Sequence, residues 1–153
     1  MPDGPRYDDD FYAWTQYQAE VLRSMECEGN GFDRGNVAEE IEALGRSQLH
    51  DAFGLVRKTL TSLLLIAHGP AGRRRYGWMY EIAGWRAELE DKMSPTIWLL
   101  TQAELPELYE DARKITELRL RELGADEAVN DVPTRSPYSL DEISHPEPAG
   151  EKK

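Results

Sequence analysis

Glu39, Glu42, Arg46 and His50 are the side chains whose types and spacing could do chemistry in this chain. They follow one another at three, four and four residues within NVAEEIEALGRSQLHD, residues 36–51. On a helix that spacing stacks them along one face, with Val37, Ile41, Leu44 and Ala52 expected on the other. Two carboxylates beside an imidazole could supply acid–base groups or hard-metal ligands. The same residues also read as a solvated face, with Glu42 and Arg46 forming an ordinary i,i+4 pair. A third reading has Arg46 pairing with an acid from another helix and fixing the packing between them. Glu40 and Asp51 lie close enough in sequence to join any of the three.

A carboxylate-bridged di-metal site is a specific form of the first reading. It needs Glu-x-x-His twice and two further Glu residues in a helical bundle. Three residues before His50, His68 and His145 stand Ser47, Leu65 and Glu142, so only His145 fits. It falls in a proline-rich terminus, and no metal or other cofactor is expected. The second candidate is Arg73-Arg74-Arg75, the one basic cluster of an acidic chain, followed by Tyr76 and Trp78. It could grip a phosphate, an acidic partner or RNA, with the aromatics stacking, or be a solvated turn; at the start of a helix its charge opposes the dipole. No phosphate loop, nucleotide fingerprint, nucleophile elbow or zinc-ligand spacing occurs.

Composition narrows the classes. A chain of 153 residues, 40% of them hydrophobic, can bury a core and reads as one domain. Its 29 acidic and 18 basic side chains leave a net charge of −11, which repels phosphate backbones and makes nucleic acid an unlikely partner. The single cysteine, Cys27, stands between Glu26 and Glu28, which disfavour a thiolate, and it reads as a small hydrophobe. The start, MPDGPRYDDD, is acidic without an apolar run, so no secretory signal is read there. The longest aliphatic stretch, residues 63–67, is far short of the roughly 18 residues a membrane span needs. These features predict a cytoplasmic protein with no membrane segment.

The elements that must position the candidates are helical throughout. Asp8, Asp9 and Asp10 predict a capped first helix running to about Met25, with Phe11, Trp14, Val21, Leu22 and Met25 as its stripe. Asn36 with Glu39 resembles a capping box and predicts the start of a long second helix. That helix continues to His68, where Gly69-Pro70 stops it, and a bend near Gly54 is expected. Trp78, Ile82, Trp85, Leu89 and Met93 make a third stripe. Ser94-Pro95 opens a fourth helix, which Pro106 should kink or split and Gly124 should end. Trp14, Trp78, Trp85 and Trp98 all fall on stripes and read as core. The prediction is an all-α, four-helix bundle-like single domain with a long second helix. Its parts are a flexible start (1–8), the bundle (9–124), a partly docked C-terminal segment (125–144) and a disordered tail (145–153).

Three segments together resemble the bacterial domain of unknown function 29 family: YDDDFYAWTQYQAEVLRS (7–24), NVAEEIEALGRS (36–47) and SPYSLDEI (136–143). GWMYEIAGWR (77–86) and YEDAR (109–113) resemble its third and fourth segments. Where the family carries a His-Leu-Leu-Lys-Trp run, this chain has LLLIAHGP, with His68 displaced. The resemblance implies an all-α fold and a bacterial cytoplasmic setting, and it implies no activity.

The functional expectation is therefore a non-catalytic interaction or regulatory module, acting through contacts with a protein partner or as a homodimer. The alternative is a small enzyme or metal-binding protein using Glu39, Glu42 and His50.

Overall fold

The computed structural model describes residues 3–26 and 29–145. Cys27 and residues 146–153, most of the predicted tail, lie outside them. The all-α expectation holds: among the described residues the chain forms α1 (Phe11–Ser24), α2 (Arg34–His68), α3 (Arg74–Lys92), α4 (Pro95–Glu122), a 3-10 turn (Asp126–Asp131) and α5 (Leu140–Ser144). None of these helices is long and apolar enough to cross a membrane. Two compact units are built from them. The first comprises Met1–Ala52 and Lys92–Leu100, the second Phe53–Asp91 and Thr101–Lys153.

In the first unit Asp10 caps α1, its Oδ1 accepting from the backbone N–H of Ala13 at 3.0 Å. Its other oxygen accepts from the Thr96 N–H at 2.9 Å and the Thr96 hydroxyl at 2.7 Å, in the first turn of α4. One carboxylate thus satisfies open donors at two helix starts. Burial pushes the Asp10 carboxyl up, but the hydrogen bonds from Thr96 and Ala13 outweigh it and hold the group below its ordinary 3.8. Ser94 caps α4 as its position before Pro95 predicts, accepting from Ile97 N–H at 3.3 Å.

α1 and α2 meet through small residues. The buried positions of α1 are Thr15 and Ala19, and those of this half of α2 are Ala38, Gly45 and Ala52, seven apart. A Cβ on Gly45 would lie 2.1 Å from Thr15 Oγ1 and 2.9 Å from Gln16 Nε2, so only glycine allows this approach. Gln16 uses the proximity to donate to the Glu42 carbonyl at 3.2 Å. This corrects two expectations. Trp14, read as core, is half-buried like Phe11, Val21 and Leu22 of the same stripe, with Met25 exposed, and Tyr7, Phe11 and Trp14 form an aromatic cluster with centroids 4.9–6.0 Å apart. Leu44 is 59% exposed, because the buried line of this half of α2 runs through Ala38, Gly45 and Ala52 and leaves Leu44 to one side. The cap also moves: Asp33 takes the place expected for Asn36, its Oδ1 accepting from the Asn36 N–H at 3.2 Å and its Oδ2 from the Asn36 side-chain amide at 2.7 Å, and α2 opens at Arg34.

The second unit holds the larger apolar core. Leu55, Val56, Leu60, Leu64 and Leu65 of α2, Trp78, Ile82 and Leu89 of α3, and Leu108, Tyr109, Ala112 and Leu120 of α4 are buried. Thr59 and Thr116 satisfy their hydroxyls on carbonyls one turn back, at 2.8 and 2.7 Å. α2 ends at His68 as expected, and only glycine suits position 69, since a Cβ there would sit 2.4 Å from the Leu65 carbonyl oxygen and 3.2 Å from the Trp78 ring. α4 is a single helix with Pro106 inside it, so the proline does not split it. It ends at Gly124, whose φ of 74° permits the closing bonds from Gly124 N–H to Arg121 O and Ala125 N–H to Leu120 O. Beyond it, the Tyr109 hydroxyl donates to the Pro133 carbonyl. α5 carries a Ser139–Glu142 capping box, and Arg86 of α3 donates to the carbonyls of Ile143 (3.0 Å) and Glu142 (2.9 Å).

Candidate functional site

The stripe on α2 is brought together as an ion-pair network with a member on another helix. Arg46 donates to Glu42 Oε1 and Glu39 Oε1, each at 3.0 Å. From α1, Arg23 donates through Nη1 to Glu42 Oε2, and its Nη2 lies 3.4 Å from Glu39 Oε2. Two guanidinium groups therefore bracket two carboxylates, giving alternating charge across the helix pair. His50 lies one turn beyond Arg46, exposed. Asp51 pairs with Lys92 at 3.3 Å, while Gln48 donates to the Lys92 carbonyl at 3.0 Å, which ties α2 to the end of α3.

The electrostatics suit a clamp better than a base. The hydrogen bond from Arg23 holds the Glu42 carboxyl below its ordinary 4.5, against a smaller upward push from desolvation. The same hydrogen bond raises the Arg23 guanidinium. A carboxylate stabilised as an anion in this way is a weak proton acceptor near neutral pH. Among the described residues no group of three His, Cys, Asp or Glu side chains is placed to hold a metal ion. Arg23 had a sequence signal, as a lone cation near the end of the first helix, but spacing within one helix cannot reveal a partner from another.

Arg73, Arg74 and Arg75 are exposed at the start of α3, and no ion pair among the described residues involves them. They continue into a face that the tryptophan reading overlooks. Tyr76 is 75% exposed, Tyr80 83% and Met79 53%. Trp78 is buried, and Trp14, Trp85 and Trp98 are half-buried, so the exposed aromatics of α3 are its tyrosines. Their signal was present: Tyr76 and Tyr80 stand four apart and fall opposite the buried line of Trp78, Ile82 and Leu89. Gly77, Ala83, Gly84 and Ala87 share this exposed side and leave it low.

Fold and site thus define an all-α protein with a charge-clamped helix pair and an exposed tyrosine–arginine helix face. The chain belongs to the domain of unknown function family DUF29, whose model matches residues 6–147. It is similar to a solved alpha-helical protein of unknown function from Rhodospirillum rubrum, with 25% sequence identity and a TM-score of 0.83. That similarity covers 95% of this chain and 92% of the other. No curated protein matches.

Proposed function

We propose that this chain is a non-catalytic interaction module whose working surface is the outward face of α3. The observation that carries the reading is the exposure of Tyr76 and Tyr80 directly after three exposed arginines. Tyrosine and arginine are the residue types that concentrate binding energy in protein interfaces. A tyrosine offers a large, stiff surface with a polar tip, and arginine grips carboxylates in a fixed fork. The partner surface this fits is an acidic, partly apolar segment of another protein. Pairing of Glu39 and Glu42 with Arg46 and Arg23 supports the same reading, because it occupies the two carboxylates an enzyme or metal site would need.

The test is quantitative co-purification from the native cell of tagged wild-type chain and a Tyr76→Ala/Tyr80→Ala variant. The reading expects one acidic protein to be depleted with the variant while the fold, followed by circular dichroism, is unchanged. Equal recovery of every co-purifying protein counts against it. Recovery of a second copy of this chain, lost with the variant, would instead make the face a homodimer interface.

A further inference from the structure

Within the second unit, α2, α3 and α4 line a cavity of about 330 Å³. Small-molecule sites start at roughly this size, about 300 Å³. Its apolar lining is Leu65, Trp78, Trp85 and Ile115, and its polar lining includes Arg57, Lys58 and Arg119 against the single acid Glu81. Three cations to one anion inverts the balance of a chain with 18 basic and 29 acidic residues. Asp111 lies 3.5 Å from Arg57 Nε, which is shielded from solvent yet makes no hydrogen bond. Lys58 and Arg119 take part in no ion pair among the described residues.

Gly54 also lines this cavity, in the interior of the 35-residue α2. A glycine there weakens the helix relative to alanine. At Gly45 a close helix contact explains the missing side chain, but at Gly54 an added Cβ would meet nothing within 4 Å. Its φ does not require glycine either. What the absent side chain leaves is open space beside two tryptophans.

We infer that this cavity binds a small amphiphilic organic anion, its apolar body against Trp78, Trp85, Leu65 and Ile115 and its acidic head facing Lys58 and Arg119. Apolar burial supplies the affinity and the cations select the head group. The site is independent of the α3 outer face.

The probe is the fluorescent aromatic sulfonate 8-anilinonaphthalene-1-sulfonate, titrated into the full chain and displaced with decanoate or with decanol. The expected result is one-to-one binding with quenching of tryptophan emission, and displacement by decanoate at lower concentration than by decanol. Gly54→Leu, which fills the space from a position where a longer side chain also favours the helix, should weaken binding by about tenfold or more. Lys58→Gln/Arg119→Gln, two exposed changes that spare the core, should weaken decanoate several-fold and leave decanol unchanged. Binding unaffected by Gly54→Leu, or displacement by decanol as effective as by decanoate, overturns the inference. So does a concentration-dependent dimer that Gly54→Leu disrupts, which would assign the cavity to a second copy of the chain.

Discussion

The Asp10 carboxylate accepts two hydrogen bonds from Thr96, at 2.9 and 2.7 Å, while its other oxygen caps α1 through Ala13. A residue that reads in sequence as the cap of one helix therefore holds the starts of two. Its removal should cost more than an ordinary cap. Asp10→Ala is expected to destabilise the protein by about 2 kcal/mol, the upper end of cap losses. Asp10→Asn, which keeps one carbonyl oxygen, should cost less. Urea denaturation with unchanged m-value measures both, and Asp10→Ala within error of wild type would contradict the shared-cap geometry.

The same carboxylate and Glu42 set the acid response. Both are held below their ordinary values of 3.8 and 4.5, so the unfolded chain binds their protons at higher pH than the folded one. Their contribution is fully present above those values and is lost as pH falls through the lowered folded ones. Stability should therefore fall with acid below about pH 4.5, the ordinary value of the Glu42 carboxyl. Glu42→Gln should flatten the first part of that fall and Asp10→Asn the second. A double-mutant cycle between Arg23 and Glu42 should show coupling that weakens with added salt, because the pair is partly exposed.

Two glycines on one helix should respond in opposite directions. Gly45→Ala forces a Cβ to 2.1 Å from Thr15 Oγ1, whose hydroxyl is already committed to the Tyr12 carbonyl. Overpacking of this kind costs about 1–3 kcal/mol, more than alanine's helix preference returns. Gly54→Ala meets open space and should stabilise by up to about 1 kcal/mol. Thermal unfolding of the two variants checks the contrast, and matching signs would refute the assigned packing.

The segment after Gly124 should depend on two anchors. Tyr109→Phe removes the hydroxyl that donates to the Pro133 carbonyl, and Arg86→Ala removes the donors to Glu142 and Ile143. The first should cost about 1 kcal/mol and the second about 1.5–3, as expected for neutral and charged donors. Limited proteolysis should show faster cleavage within residues 125–145 for both variants, with Arg86→Ala the faster.

What could be read beforehand followed from features that act locally. Asp10, Ser94-Pro95, Gly69-Pro70 and Gly124 start and stop helices through their own backbone chemistry, and the structure has each where the sequence places it. The stripe of Trp78, Ile82 and Leu89 was likewise legible, because large apolar residues at helical spacing have few other uses. The contact between α1 and α2 was not. Its closest approach sets Thr15 against Gly45, and small residues leave no mark in a hydrophobic pattern even where they let helices approach most closely. The charged stripe was visible, but its pairing with Arg23 was not, since periodicity orders residues within a helix and says nothing across helices. Tyr76 was legible beside the arginines, but its continuation to Tyr80 was not, since two tyrosines four apart read equally as core until the buried line of Trp78, Ile82 and Leu89 fixes the face.

The proposal that the α3 face is the working surface is tested most directly by a photo-crosslinker, p-benzoyl-phenylalanine, placed at Tyr80 in the native cell. The control site is Glu40, exposed on α2 in the other unit. The account predicts one discrete adduct from position 80, abolished when Arg73, Arg74 and Arg75 are changed to glutamate, and no matching adduct from position 40. Adducts of the same size and yield from both positions, or an adduct from position 80 that survives the charge reversal, would contradict it.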